Sequence, residues 1–162
     1  MSFLIFALVY PLIWLLSKLP FRVLYIISDG VYLILYHLVG YRRDVVRFNL
    51  KTAFPTMDAE TLKTTEKRFY HHFCDLFIEV IKSLSISEQT LRDRYLFTNI
   101  EVLQKYIDKG QPIIITMGHY ASYEWIFALQ TILKGHPGYA IYKKIKNPYF
   151  DKMIRDIRSK WN

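Results

Sequence analysis

The stretch "QPIIITMGHYASYEW", residues 111–125, decides how the chain is read. Its three consecutive isoleucines, Ile113 to Ile115, form the continuous β-branched run expected of a strand buried on both faces of a sheet. Gly118, His119 and Glu124 follow at once. Working outward, "IEVLQKYIDKG" (100–110) has helical spacing and a closing glycine, and "SYEWIFALQTILKG" (122–135) has the same on the other side. "YLFTN" (95–99) and "YAIYK" (139–143) read as short strands, and "NPYFDKMIRDIRSKWN" (147–162) as a last helix with Pro148 in its first turn. Alternation of strand and helix predicts an α/β fold with a partial, partly parallel sheet and flanking helices.

Upstream of this block the pattern is helical. "YRRDVVRFNLKTAF" (41–54) sets Val45, Val46, Phe48, Leu50 and Phe54 against basic residues, and Pro55 closes it. Asp58 is placed to cap a long helix whose apolar stripe runs from Leu62 through Phe73 to Leu84. Ser85 and Glu88 have capping-box spacing for a short helix ending near Arg94.

The first forty residues are greasier. "MSFLIFALVYPLIWLLSKLP" carries no charge from residue 2 to residue 17, which is short for a full membrane span. "VLYIISDGVYLILYHLVG" (23–40) is interrupted by Ser28, Asp29 and Gly30, so it reads as a helix with a break or as a membrane-surface helix. Basic residues follow the greasy segments instead of preceding them, at Lys18, Arg22, Arg42, Arg43 and Arg47, which argues against a cleaved signal peptide. It favours a membrane anchor over residues 1–40, by one span or by insertion into one leaflet, with the flanks on the cytoplasmic side. Trp14 and the tyrosines at 10, 25, 32, 36 and 41 suit a membrane interface and serve equally well as core filler.

Composition agrees with membrane contact: of 162 residues, 52% are hydrophobic and 17% aromatic, and the net charge is +8. That charge attracts phospholipid head groups, acidic carrier proteins or nucleic acid. Nucleic acid is disfavoured, because the basic residues flank greasy segments and form no stripe with aromatics. The single cysteine, Cys74, forbids an intramolecular disulfide and a cysteine-based zinc site, and no metal site is expected. Cys74 lies in an apolar helical pattern and reads as a core residue.

His119 and Glu124 carry the chemistry. A histidine takes a proton near neutral pH, and a carboxylate against its other ring nitrogen fixes the tautomer and stabilises the imidazolium. At this spacing the two do not share a regular helix face, so His119 is expected in the loop and Glu124 in the first turn of the following helix. Gly118 lets the backbone pass closely, and amides at the helix start are candidate donors to an oxyanion. The spacing alone arises often by chance, so the context has to support it.

"GHYASYEW" resembles the HxxxxE motif of the lipid A late acyltransferase family, the lauroyl and myristoyl transferases of lipopolysaccharide assembly. "YRRDVVRFNLKTAFP" is similar to that family's segment after the membrane anchor, "RFYHHFCDLFIEV" to its long helix, and "YKKIKNPYFDKMIRDIRSKWN" to its block with Lys-Asn-Pro, an aspartate and a later arginine. The four matches come in the right order and cover most of the chain. The resemblance implies that His119 and Glu124 are the catalytic pair, with Gly118, Tyr142, Lys143, Lys144, Asn147, Asp151 and Arg158 beside them as substrate-binding positions. Lys143, Lys144, Lys146 and Arg158 are the cations it offers to phosphates of the acceptor or of a carrier's phosphopantetheine arm.

It further implies transfer of a fatty acyl group from a thioester, on acyl carrier protein or coenzyme A, to a hydroxyl of a lipid A precursor or similar glycolipid. No bound cofactor is implied, and the place of work is the cytoplasmic face of the bacterial inner membrane. Members of the family are longer, so residues 41–162 are expected to be an acyltransferase domain truncated at its C-terminal side, an incomplete version of the fold. Ser122 and Tyr123 stand where the family usually has Gly-Asn before its glutamate, and Asn162 stands where a glycine usually follows the arginine. The alternatives are a phospholipid acyltransferase of the related HxxxxD type and an inactive membrane-anchored scaffold; Glu124 in place of aspartate favours the lipid A reading.

Overall fold

A computed structural model describes residues 2–133 and 135–161. The chain divides into two compact units, residues 13–82 and residues 1–12 with 83–162.

The unit of residues 13–82 is built from long helices. It holds the end of α1 (Ser2–Lys18), α2 (Phe21–Tyr32), a π-helical continuation (Leu33–Val39), α3 (Arg43–Ala53) and α4 (Ala59–Lys82). The expected break at residues 28–30 is absent: helix runs unbroken through Ser28, Asp29 and Gly30 to Val39. Two polar side chains of this helix, Tyr25 and Asp29, meet α4. The Tyr25 hydroxyl donates to Glu79 at 2.8 Å, Asp29 lies 3.4 Å from His71, and Ser28 is buried. Phe21–Val39 is thereby long and apolar enough to cross a membrane by length and composition. Gly40 ends it at φ 63°, the left-handed conformation that glycine adopts without a Cβ clash.

The core of this unit is aromatic: Tyr32, Tyr36, Tyr70 and Cys74 are buried, with Leu35 and Val46 against them. Cys74 sits there as expected, and burial, with Asp75 nearby, pushes its thiol pKa up, which keeps the unreactive thiol form. Glu66 is buried and accepts from Arg47 Nε at 2.7 Å, with Arg43 at 3.5 Å. Burial works to raise its pKa, and the Arg47 hydrogen bond and charge, with Tyr36 and Arg43, bring it below the ordinary carboxylate value. Asp58 caps α4, accepting from the Glu60 and Thr61 amides at 3.0 and 2.9 Å.

The other unit contains α5 (Glu88–Arg94), α6 (Ile100–Ile107), a short 3-10 helix (Tyr123–Ala128) running into α7 (Leu129–Ile132), and α8 (Pro148–Arg158). The cap of α5 is Ser87 and not Ser85: its backbone is extended, and its Oγ accepts from the Thr90 amide at 3.1 Å. The helix expected over 122–135 is shorter, and the passage of that helix through Lys134, like the comparison at Asn162, lies outside the described residues.

The expected sheet is not formed. Among the described residues there is no strand, and 95–99, 111–116 and 139–143 are non-helical segments without ladder pairing. The α/β expectation is therefore corrected to an all-helical arrangement with extended connections. The physical reason is that β-branched residues favour an extended backbone, but a strand exists only through hydrogen bonds to a neighbouring strand. No described segment supplies that neighbour, and the isoleucines meant for a buried strand are exposed, Ile114 at 90%.

Candidate active site

The short helix Tyr123–Ala128 is fixed by its apolar side. Trp125, Phe127 and Ala128 are buried, and Trp125 Nε1 donates to Ser83 Oγ at 2.9 Å. Phe127 stacks on Trp161 with ring centroids 5.5 Å apart. Arg92 donates to the Thr131 hydroxyl at 3.1 Å and to its carbonyl. Tyr123 and Glu124 are left half-buried in the first turn of this anchored helix.

His119 lies in the preceding loop and is exposed. Between them the chain turns sharply: Ala121 has φ 49°, a left-handed conformation costly for a residue with a Cβ. A Cβ at Gly118 would meet nothing within 4 Å, so no close approach explains that glycine, and the turn falls on Ala121 instead. The amides of Tyr120, Tyr123 and Trp125 donate to the carbonyls of Gly118, Ala121 and Ser122 at 2.8–2.9 Å. These three amides are therefore spent within the turn.

Glu124 is held by Arg158. The guanidinium Nε donates to Oε2 at 3.1 Å, and Nη2 donates to Oε1 at 2.8 Å and to Oε2 at 2.9 Å. Such a fork engages both carboxylate oxygens and fixes their plane. No hydrogen bond or ion pair joins His119 to Glu124 among the described residues; the imidazole packs on the Tyr123 ring, centroids 4.4 Å apart. Burial first, and the Glu124 carboxylate second, raise the Tyr123 phenol pKa against the opposing pull of Arg158.

The Lys-Asn-Pro block supports this clamp from behind. The Arg158 guanidinium lies over the Tyr142 ring, 5.1 Å from its centroid. The Tyr142 hydroxyl donates to Asp151 at 3.3 and 3.4 Å, and the Ile145 amide donates to the same carboxylate at 2.9 Å. Asp151 is 1% exposed, with Arg155 Nε 3.3 Å away, so it is an internal strut. Asp151 and Arg158 are seven residues apart on α8, two turns along one face, which is why one helix presents both. Asn147 caps α8, accepting from the Tyr149 amide at 3.0 Å. Lys143 and Lys144 are exposed, as is Lys146.

The structure thus brings together Glu124, Arg158, Tyr142 and Asp151, and sets His119 on the adjoining loop. Tyr123 and Arg155 are the contributors that sequence reading passed over. Tyr123 had only its aromatic ring four residues after His119 as a signal; Arg155 had its one-turn spacing from Asp151.

No curated protein and no solved structure matches the chain. The family model for bacterial lipid A biosynthesis acyltransferases matches residues 1–162. That match runs through the greasy helices, the His119–Glu124 turn and the Lys-Asn-Pro block alike, and the chain belongs to the bacterial lipid A biosynthesis acyltransferase family.

Proposed function

We propose that the chain transfers a fatty acyl group from an acyl thioester, carried by acyl carrier protein or coenzyme A, to a hydroxyl of a lipid A precursor or similar glycolipid. The work is done at the cytoplasmic face of the bacterial inner membrane. His119 Nε2 or Nδ1 takes the proton of the acceptor hydroxyl as its oxygen attacks the thioester carbonyl. The tetrahedral intermediate collapses with cleavage of the carbon–sulfur bond, and the imidazolium returns the proton to the departing thiolate. The products are an ester and a free thiol, and no bound cofactor is consumed.

Glu124, its charge paired with Arg158, is assigned to orienting His119 through the turn that the two residues share. The observation that carries this reading is the forked Arg158–Glu124 pair, which holds the carboxylate in place in the turn directly after His119. Arg158 is assigned to holding Glu124, and Asp151, being buried, to supporting Tyr142 and the backbone at Ile145. Lys143 and Lys144, exposed on the extended segment before α8, are assigned to the phosphates of donor or acceptor.

The test is acyl transfer by the full chain in membranes, supplied with acyl carrier protein thioester and lipid A precursor. His119→Ala should lower the rate by about 10²–10⁴-fold, the usual contribution of a general base. Unchanged product formation would remove His119 from the mechanism.

A further inference from the structure

Helix Phe21–Val39 has the length to cross a bilayer, yet it does not stand alone. It is paired with α4 from end to end. Lys82 Nζ donates to the carbonyls of Ser17 and Leu19, both at 2.9 Å, at the entry of α2. Tyr25 meets Glu79, Asp29 meets His71, and the rings of Tyr32 and Tyr36 meet His71 and Tyr70. Just past its far end, the Tyr70 hydroxyl donates to the carbonyl of Tyr41.

The α2 segment therefore cannot cross a bilayer without carrying α4 through with it, and α4 is not a membrane helix. Lys67, Arg68, His71 and His72 are exposed on it, and Asp75 and Glu79 are half-buried. Crossing a bilayer as a pair would carry these groups into hydrocarbon, together with Asp29, whose side chain is 59% exposed near the middle of the apolar segment. Polar groups at that depth are tolerated when they face a bundle interior or a water-filled path, and exposed Lys67, Arg68 and His72 have neither in this pair.

The opposite side of α2 tells what it does face. Ile26, Leu33, Ile34 and Leu38 are exposed, Leu38 at 80%, and they continue the greasy surface at the end of α1, where Leu15 is exposed. Basic residues lie at both ends of the segment, Lys18 and Arg22 before it and Arg42, Arg43 and Arg47 after it. An apolar face with basic residues at both ends matches one leaflet of an anionic membrane, with the acyl chains against the apolar side and the head groups against the cations.

We infer that residues 13–82 enter the membrane from one side only, with the α2 segment lying in a single leaflet and α4 at the aqueous side of it. Both ends of the segment then lie on the same side of the bilayer. Single cysteines placed by Lys18→Cys and Arg42→Cys in the full chain, expressed in bacterial cells, read this directly with a membrane-impermeant maleimide. Cys74 is buried, and labelling of the unsubstituted chain sets the background. In inside-out vesicles and in spheroplasts the two positions should label from the same side, and high salt should leave the chain in the membrane pellet. Labelling from opposite sides would establish a span and overturn the inference. Release of the chain by salt would overturn it too, by showing attachment through charge alone. Arg22→Cys with Lys51→Cys repeats the measurement if either first variant fails to accumulate.

Discussion

Residues 13–82 and the segments 111–122 and 139–147 have similar appetite for burial and opposite outcomes. The first region buries Tyr32, Tyr36, Tyr70 and Cys74 between helices and pairs its one buried acid, Glu66, with arginine. The second leaves its apolar residues in the open, Tyr120 at 87%, Ile114 at 90% and Tyr139 at 93%. A helix satisfies its own backbone, so one amphipathic stripe and one neighbour suffice. An extended segment satisfies nothing by itself, and without ladder partners its side chains have no surface to cover. The candidate chemistry lies in the second kind of backbone and borrows its order from the Trp125 anchor and the Arg158 clamp.

Four measurements probe this contrast, and a fifth tests the turn itself. The largest effect is expected on activity and not on folding: His119→Ala should cost about 10²–10⁴-fold in rate while leaving the thermal midpoint in place, because the imidazole is exposed. A large fall in the midpoint would mean that the extended region is structural after all. Next is Glu66→Ala in the helical region, which removes the partner of Arg47 and Arg43 and should destabilise by about 1.5–3 kcal/mol, read by thermal unfolding in detergent.

The same carboxylate gives a pH signature. Its folded pKa lies below its unfolded one, so its stabilisation is present above the ordinary carboxylate value of about 4.3 and is lost as pH falls through the folded value. The gap between wild type and Glu66→Gln should therefore narrow on acidification from neutral pH; a constant gap would assign the stabilisation to packing. Removing one hydroxyl by Tyr70→Phe, which orphans the Tyr41 carbonyl, should cost about 1 kcal/mol in the same assay. Smallest is Ala121→Gly, which relieves the left-handed strain in the His119–Glu124 turn and should stabilise by up to about 1 kcal/mol. Destabilisation by this change would show that the methyl group is needed there.

Much of this was legible. The stripe of α4, its Asp58 cap, Pro148 at the start of α8 and the burial of Cys74 followed from spacing and residue type, because helix formation is decided within a few residues. The misreadings share one cause. Asp29 suggested a break, one of the two readings of 23–40, because its partner on α4, His71, is more than forty residues away, and Ile113–Ile115 looked like a buried strand because propensity records a backbone preference and not a neighbour. The clamp was half legible. Glu124, Arg158, Tyr142 and Asp151 were all singled out, but nothing local to Glu124 says that its carboxylate goes to an arginine thirty-four residues on and not to the histidine beside it.

The sequence by itself determined the family, the greasy helices with their basic flanks, the long amphipathic helix and the residues on which the chemistry is proposed to rest. The helices are properties of composition and short-range periodicity, while the family and the site residues rest on resemblance of the motif blocks. Only the tertiary structure decided that the isoleucine run has no sheet, that Asp151 is inside, and that Arg158 takes Glu124. It also paired α2 with a charged helix along its whole length. Each of these depends on which distant groups a chain can bring within hydrogen-bonding reach, and that is set by packing and not by the order of residues along a segment.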